Sequence, residues 1–250
     1  MALRRDLPLT EADWLSGPHP DAMLYHLGDR VSVRQLRLIG VACCRRLSRW
    51  VRAEASLPVL DVAERYADGL ASEEERQTAH RAVREASWPN RAAGGDRWRE
   101  QVGVFVRWVL LGVLESDRYV QINRVDHRNA ARAAYAAGHR GRTAGKNAAA
   151  LAGEAAQVAE VAAQVQTIRD VVGNPFRPAT IDPAWLAWSG GLVVKLALGA
   201  YEERDFACLP VLADALEDAG CIDEVILSHL RSPGPHVRGC WAVDLILGKG

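Results

Sequence analysis

The residues with the clearest chemical potential lie near the end of the chain, in the string His236-Val237-Arg238-Gly239-Cys240-Trp241. A cysteine becomes a nucleophile when a neighbouring base or cation lowers the pKa of its thiol. His236 and Cys240 are four residues apart, a spacing that places two side chains on one face of a helix, and Arg238 is a nearby cation. The preceding proline and Gly239 oppose a regular helix across this string. The alternative is structural: Cys240 and the tryptophan are core residues, and His236 caps a helix.

The same histidine and cysteine could take part in a zinc site, which needs thiolate and imidazole ligands in a tetrahedron. The candidate ligands are Cys43, Cys44, Cys221, His236 and Cys240. Adjacent cysteines rarely bind one ion together, and the chain has no C-x2-C pair, so buried thiols without a metal are the alternative. No other cofactor motif is present, so we expect no cofactor, with zinc as the one alternative.

A third candidate site is a cationic stretch in the middle of the chain. Arg124, Arg128 and Arg132 recur every four residues and would line one face of a helix. Such a face could bind the phosphates of a nucleic acid or of an anionic lipid. Acidic residues are concentrated later in the chain, so internal charge pairing or a solvated face is the alternative.

A fourth candidate is a group of acidic residues beside a histidine. Asp214 and Asp218 are one helical turn apart, as a carboxylate metal site would require, with Glu217, Asp223 and His229 nearby. The repeated E-x-x-H pattern of metal-binding bundles does not accompany them. A charged helix surface is the alternative.

Composition and charge limit the class of protein. The formal net charge of the 250 residues is zero, which argues against a surface that binds polyanions everywhere. The five cysteines are an odd number and show no secreted disulfide pattern. The N-terminus has no apolar signal segment, and the longest apolar stretch, 102–114, contains Arg107 and is too short to span a bilayer. We therefore expect a cytoplasmic protein with reduced thiols and no membrane partner.

Helical periodicity and capping residues recur along the chain, without a strand pattern of useful length. The predicted helix N-caps are Thr10, Ser32, Ser72 and Asp182. The helix that begins after Ser32 has its apolar residues on one face, and Arg37 lies off that face. An alanine-rich helix over 148–172 is predicted to end at Gly173.

These patterns predict an all-α fold, an irregular multi-helix bundle with a central hydrophobic helix. The central helix is the stretch 102–114, which is apolar on nearly every side; a pair of buried strands is the alternative. We divide the chain into a helical bundle over 1–172, with a variable alanine-rich middle at about 117–165, and a region of short helices over 173–250. We expect this C-terminal region, whose last helix is predicted over 237–247, to pack on the N-terminal helices in one compact unit.

Six short strings carry a resemblance to known sequences. They are TEADWL from Thr10, ACCRR from Ala42, NPFRP from Asn174, DPAWLAW from Asp182, LADALEDAGC from Leu212 and HVRGCW from His236. The chain resembles a large family of uncharacterised planctomycete proteins over about half of its length, at its two ends. The resemblance indicates which proteins are related to this chain. It does not indicate a reaction, because the family has no established activity.

The sequence contains no catalytic motif of high specificity. We therefore predict a non-enzymatic helical module that binds other proteins through short, tryptophan-bearing helices near its C-terminus. Two alternatives stay open: a Cys/His-dependent enzyme or zinc protein centred on His236 and Cys240, and a nucleic-acid or phosphate binder that uses the arginine face. Exposed tryptophans would favour the interaction module, and full burial of Trp185, Trp188 and Trp241 would weaken it.

Overall fold

The computed structural model describes residues 9–17, 20–51, 57–86, 107, 110–115 and 148–249. Within these residues the regular secondary structure is helical, and no strand is present. The all-α prediction is therefore confirmed for the part of the chain that the structure describes. The chain forms two compact units, Met1–Val165 and Gln166–Gly250. The predicted packing of the C-terminal region on the N-terminal helices stays a prediction.

Ten α-helices have both ends among the described residues, and we number them in chain order. The first unit contains α1 (Glu11–Ser16), α2 (Pro20–Leu27), α3 (Val33–Val51), α4 (Leu57–Ala67) and α5 (Glu73–Glu85). The boundary between the units falls inside the long helix α6 (Ala148–Val172). The second unit continues with α7 (Pro183–Glu203), α8 (Leu209–Asp218), α9 (Glu224–Arg231) and α10 (Trp241–Leu247).

Side-chain caps determine where several helices begin. Thr10 and Asp13 cap α1 reciprocally: the Asp13 N–H donates to Thr10 Oγ1 at 3.2 Å, and the Thr10 N–H donates to Asp13 Oδ2 at 3.0 Å. Ser72 and Glu75 form the same pair of bonds at the start of α5, at 3.1 and 2.8 Å. Asp182 accepts a backbone N–H in the first turn of α7 at 2.8 Å. Ser32 also accepts the Gln35 N–H at 3.1 Å at the start of α3. All four predicted caps are therefore confirmed, and each satisfies donors that the helix itself leaves unpaired.

The core of the first unit joins α3, α4, α5 and the segment 110–114. Its buried residues are Val41, Cys44, Val59, Leu60, Ala63, Ala79, Val83, Leu110, Val113 and Leu114. Of the predicted central helix, 102–114, the structure describes residue 107 and residues 110–114, and 110–113 are helical. The rest of that prediction lies outside the described residues, as does the stretch 116–147.

Two buried arginines bind the carbonyl groups at the end of this helical segment. Arg37 donates to the carbonyl oxygens of Val113 and Glu115, and Arg76 donates to that of Leu114. The last carbonyls of a helix have no partner within the helix, so these guanidinium groups replace the missing donors. The spacing of Arg37 places it off the apolar face of α3. It is nevertheless buried, and its guanidinium is hydrogen-bonded to these carbonyl oxygens.

The core of the second unit is formed mainly by α7, α8, α9 and α10. The helix α7 contributes four residues that are at most 1% exposed, namely Val193, Ala197, Ala200 and Tyr201. Its helical geometry is interrupted at 188–191, where Ser189, Gly190 and Gly191 have positive φ. By length and composition this helix could cross a membrane; 22% of its most apolar window is buried, and its helical geometry is interrupted at 188–191.

The last helix begins later than the sequence predicts. Helix α10 starts at Trp241 instead of residue 237, because Gly239 has φ +93° and Cys240 is in a non-helical N-cap conformation. His236 therefore lies in a non-helical segment, 232–240, between α9 and α10. His236 and Cys240 consequently do not share a helix face.

Candidate metal centre

Four side chains with metal-binding groups converge within the second unit, and we call them the Asp170 cluster. Asp170 lies in the last turn of α6, His229 in α9, His236 in the segment 232–240, and Cys240 at the N-cap of α10. One ligand atom from each residue lies within 4.8 Å of the other three. The cluster thus joins α6, α9 and the non-helical segment that leads into α10.

Helix ends place these side chains next to each other. Gly173, at φ +72°, ends α6 just after Asp170. Asp223 begins α9 by accepting two backbone N–H groups at 2.8 and 3.2 Å, and His229 lies in the last turn of that helix. The N–H of Ser232 then donates to the His229 carbonyl at 3.1 Å and directs the chain into the segment 232–240.

The carboxylate of Asp170 is at the centre of the cluster. Its Oδ1 lies 2.8 Å from Nδ1 of His236 and 3.3 Å from Nε2 of His229. Its Oδ2 accepts the backbone N–H of Val237 at 2.8 Å. The Sγ atom of Cys240 lies 3.2 Å from Nε2 of His229 and 4.0 Å from Nδ1 of His236. One nitrogen of each imidazole, one carboxylate oxygen and one sulfur therefore face a common point.

Four of the six separations among these atoms lie on either side of the values expected for a tetrahedral zinc site. Zinc bonds of about 2.0–2.3 Å place the ligand atoms about 3.3–3.6 Å apart. The four pairs given above range from 2.8 to 4.0 Å. Imidazole, carboxylate and thiolate are all ordinary zinc ligands, so the donor set fits the ion as well as the distances do.

The second ring nitrogen of His236 limits where its protons can be. Nε2 lies 3.1 Å from the carbonyl oxygen of Ser232, which only accepts, and 3.3 Å from the hydroxyl oxygen of that residue. A proton on Nε2 satisfies the carbonyl and leaves the Nδ1 lone pair of a neutral ring facing Asp170. A cation between these two acceptors removes their repulsion, and metal-binding histidines usually donate their other N–H to such a carbonyl. Without a cation, Nδ1 must carry a proton.

Burial and charge shift three pKa values in the cluster. Burial raises the pKa of Asp170, but its hydrogen bonds with His229 and His236 outweigh burial and hold the pKa below its ordinary value. Burial lowers the pKa of His236, while the adjacent Asp170 carboxylate raises it to a net value above the ordinary one. Burial, followed by the charge of Asp170, holds the pKa of the Cys240 thiol well above its usual range. A thiolate at this position therefore needs a bound cation.

A nucleophilic Cys-His-Asp triad fits this geometry poorly. In a triad, the histidine uses one ring nitrogen for the nucleophile and the other for the carboxylate. Here Nε2 of His229 lies 3.2 Å from Cys240 Sγ and also 3.3 Å from Asp170 Oδ1. Cys240 is 0% exposed, and the raised pKa of its thiol opposes nucleophilic attack. The geometry favours ligands that converge on one ion.

Of the five residues predicted as zinc ligands, His236 and Cys240 belong to the cluster. Cys221 is buried in the core of the second unit and is not a member. Cys43 and Cys44 are buried free thiols in the first unit.

The other predicted cationic and acidic residues have three different outcomes. Arg238 is half-buried, and its guanidinium carbon lies 4.5 Å from the ring centroid of Tyr201, outside the Asp170 cluster. The acidic residues Asp214 and Glu217 both bind Arg231, which is a surface ion-pair arrangement. The arginine face at 124–132 lies outside the described residues.

The tryptophans that bear on the interaction hypothesis are half-buried. Trp185, Trp188 and Trp241 all pack against the core of the second unit. Trp241 also lies beside His229, with 4.8 Å between the ring centroids. These side chains are neither fully buried nor an exposed patch, so the interaction module stays a prediction.

Two members of the cluster are not zinc candidates by sequence. Asp170 is absent from every candidate site, and His229 is grouped with the acidic residues of α8. A local signal for His229 is the spacing H-x6-H-x3-C that links it to His236 and Cys240. Asp170 has no comparable local signal, because its partners lie far along the chain.

No family model, curated protein or solved structure matches this chain. The fold and the site together define an all-α protein with a candidate metal centre. Its function is therefore argued from the geometry of that centre.

Proposed function

We propose that this protein binds one zinc ion through Asp170, His229, His236 and Cys240, and that the ion has a structural role. The observation that supports the proposal is the convergence of four different ligand atoms within 4.8 Å. Helices α6 and α9 and the segment 232–240 supply these atoms, so a bound ion would cross-link separate elements of the second unit.

The charge of the donor set suits a divalent ion. Two neutral imidazoles, one carboxylate and one thiolate carry two negative charges, which a divalent cation neutralises. Neutrality matters because the side chain of Asp170 is 3% exposed and Cys240 is 0% exposed. Buried charges without such compensation are costly.

The ligand types also favour zinc over magnesium or calcium. Magnesium and calcium prefer oxygen ligands, whereas zinc takes the mixture of sulfur, nitrogen and oxygen found here. Cobalt(II) shares this preference and is a suitable spectroscopic substitute for zinc.

A structural role is supported by the closure of the site. Catalytic zinc sites keep one position open, whereas structural sites are filled by four protein ligands. Oδ2 of Asp170 is taken by the Val237 N–H, which leaves Oδ1 for the ion. The side chains of His236 and His229 are 5% and 20% exposed, so little solvent reaches the ligands.

Two wider elements of the proposal come from the sequence. We propose membership of the planctomycete family, whose HVRGCW string contains His236 and Cys240 and whose NPFRP string begins shortly after Asp170. A zinc-stabilised helical unit is also compatible with a non-enzymatic, cytoplasmic module that binds other proteins. The zinc site itself depends on neither element.

Zinc affinity measured on the full chain tests the proposal. The protein is stripped with a chelator, reloaded with zinc and titrated against a competing chromophoric chelator. We expect one tightly bound ion, and a loss of affinity in Cys240→Ser and Asp170→Asn greater than the about 10–100-fold caused by losing an outer-sphere partner.

Cys208→Ser is the matched control, because this thiol is half-buried, outside the Asp170 cluster and 2.9 Å from the carbonyl oxygen of Asp205. Its affinity should equal that of the unaltered protein. Failure of the unaltered protein to bind zinc, or equal affinity in all variants, would refute the proposal.

A further inference from the structure

We propose, on the basis of the zinc site, that ion binding controls the folding of the segment 232–240 and of α10 onto the rest of the second unit. Zinc binding would thus have a structural consequence beyond the occupied site. We expect residues 232–247 to change conformation locally when the metal binds or leaves.

The segment 232–240 is attached to α6 through one carboxylate. It contains no helix, and the ring of His236 and the N–H of Val237 both bind the carboxylate of Asp170, at 2.8 Å each. A single buried side chain thus holds two successive residues of the segment against α6. Segments with few such contacts open locally at low free-energy cost.

The backbone of the segment is restricted just before His236. In Pro233-Gly234-Pro235 the two proline rings fix φ, so few backbone conformations remain. Gly234 has φ +85°, and a Cβ there would lie 2.6 Å from the backbone nitrogen of His236. The chain before His236 therefore tolerates only glycine at this point and presents the imidazole in a restricted position. Such restriction reduces the conformational entropy lost when a ligand binds.

The segment leads directly into α10 through one of the proposed ligands. Cys240 is at once a proposed zinc ligand and the N-cap of α10, so its position sets the start of that helix. The next residue, Trp241, lies beside the ring of His229 and against Gly173, where a Cβ would be 3.1 Å from the indole Cγ. The ligands, the end of α6 and the start of α10 are therefore in direct contact with one another.

These contacts couple the ion to the fold. When ligands come from several elements, the free energy of metal binding contributes to folding those elements. Removing the ion leaves the segment 232–240 held by the Asp170 hydrogen bonds, by the contact of Arg238 with the Tyr201 ring and by the buried Cys240 side chain. We infer that residues 232–247 open more often without zinc, while α4 and α5 in the first unit are unaffected.

Hydrogen–deuterium exchange of the full chain tests this inference. Exchange is measured by mass spectrometry on chelator-stripped protein, with and without added zinc, and the bound zinc is quantified on the same samples. We expect exchange of peptides covering 232–247 to slow by about tenfold or more with zinc, and peptides from α4 and α5 to be unchanged. Magnesium in place of zinc should have no effect.

The possible results separate this inference from the proposed function. Absence of bound zinc refutes both. One bound zinc with unchanged exchange over 232–247 refutes the coupling and leaves the zinc site intact. Zinc-dependent protection spread equally over both units also contradicts the local coupling, whereas protection confined to 232–247 and its contacts supports it.

Discussion

The Oδ1 atom of Asp170 lies 2.8 Å from Nδ1 of His236, although the two residues are 66 positions apart in the chain. Both side chains are at most 5% exposed. This contact connects the last turn of α6 to the segment 232–240, and the other proposed zinc ligands, His229 and Cys240, lie around it. The role of the cluster depends on whether a metal ion binds between these four side chains.

The contact between Gly173 and Trp241 gives a stability prediction. Gly173 has φ +72°, and an added Cβ would lie 3.1 and 3.2 Å from two atoms of the indole. Left-handed backbone strain alone costs about 1–3 kcal/mol. We expect Gly173→Ala to lower the free energy of unfolding by more than this amount. Urea unfolding followed by circular dichroism measures the loss.

Gly248→Ala is the control for this variant. Gly248 also ends a helix, has φ +65° and has no atom within 4 Å of the added Cβ, so it reports the backbone strain without the indole contact. Equal losses in the two variants would show that the contact with Trp241 contributes nothing.

Local sequence signals predict much of the helical fold. The helix over 148–172 has both predicted bounds in the structure, because the left-handed Gly173 ends it. The last helix is predicted over 237–247 and begins at 241, because the positive φ of Gly239 depends on the packing of the segment before it. Helix ends set by a local cap are readable from sequence, and those set by tertiary contacts are not.

Two of the four residues in the candidate site, His236 and Cys240, could be predicted as zinc ligands from the sequence. His236 and Cys240 are near neighbours in a string of unusual residues, and they are candidates for that reason. Asp170 becomes a candidate only when the fold brings α6 against the segment 232–240. Arg37 gives the same lesson in the first unit, since its partners, the carbonyls of Val113 and Glu115, are distant in sequence.

The buried guanidinium of Arg37 gives a second stability prediction. Arg37→Met removes donors from two carbonyl groups while keeping much of the side-chain volume. We expect the free energy of unfolding to fall by about 1–3 kcal/mol, the cost of leaving buried acceptors unsatisfied. Chemical denaturation of the full chain measures this change.

Arg81→Met is the matched surface control. Arg81 is exposed in α5 and contacts the hydroxyl of Thr78 at 3.3 Å. We expect its effect to be within about 0.5 kcal/mol. If the Arg37 variant were as stable as this control, the proposed role of the guanidinium would be wrong.

The carboxylate of Glu73 gives a pH prediction. Hydrogen bonds from Arg76, followed by that from Gln77, lower its pKa to about 2. Because the folded-state pKa is below the unfolded value of about 4.3, ionised Glu73 stabilises the fold above that value. This contribution should decline as the pH falls from there to about 2. Half of the side chain is exposed, so solvent screening keeps the effect small.

Carboxyl chemical shifts measured by NMR against pH test this prediction directly. We expect the Glu73 midpoint to be about 2 in the unaltered protein and to move upward in Arg76→Lys, which cannot form the two-pronged contact with the carboxylate. An ordinary midpoint for Glu73 in the unaltered protein would contradict the role of the hydrogen bonds from Arg76 and Gln77.

X-ray absorption at the zinc edge of the reloaded full-length protein tests the zinc site most directly, because it reports the ligand atoms themselves. The account predicts one sulfur at about 2.3 Å and three nitrogen or oxygen ligands at about 2.0–2.2 Å, with the sulfur absent in Cys240→Ser. A bound zinc without sulfur in the unaltered protein, or with six oxygen and nitrogen ligands, would contradict the account.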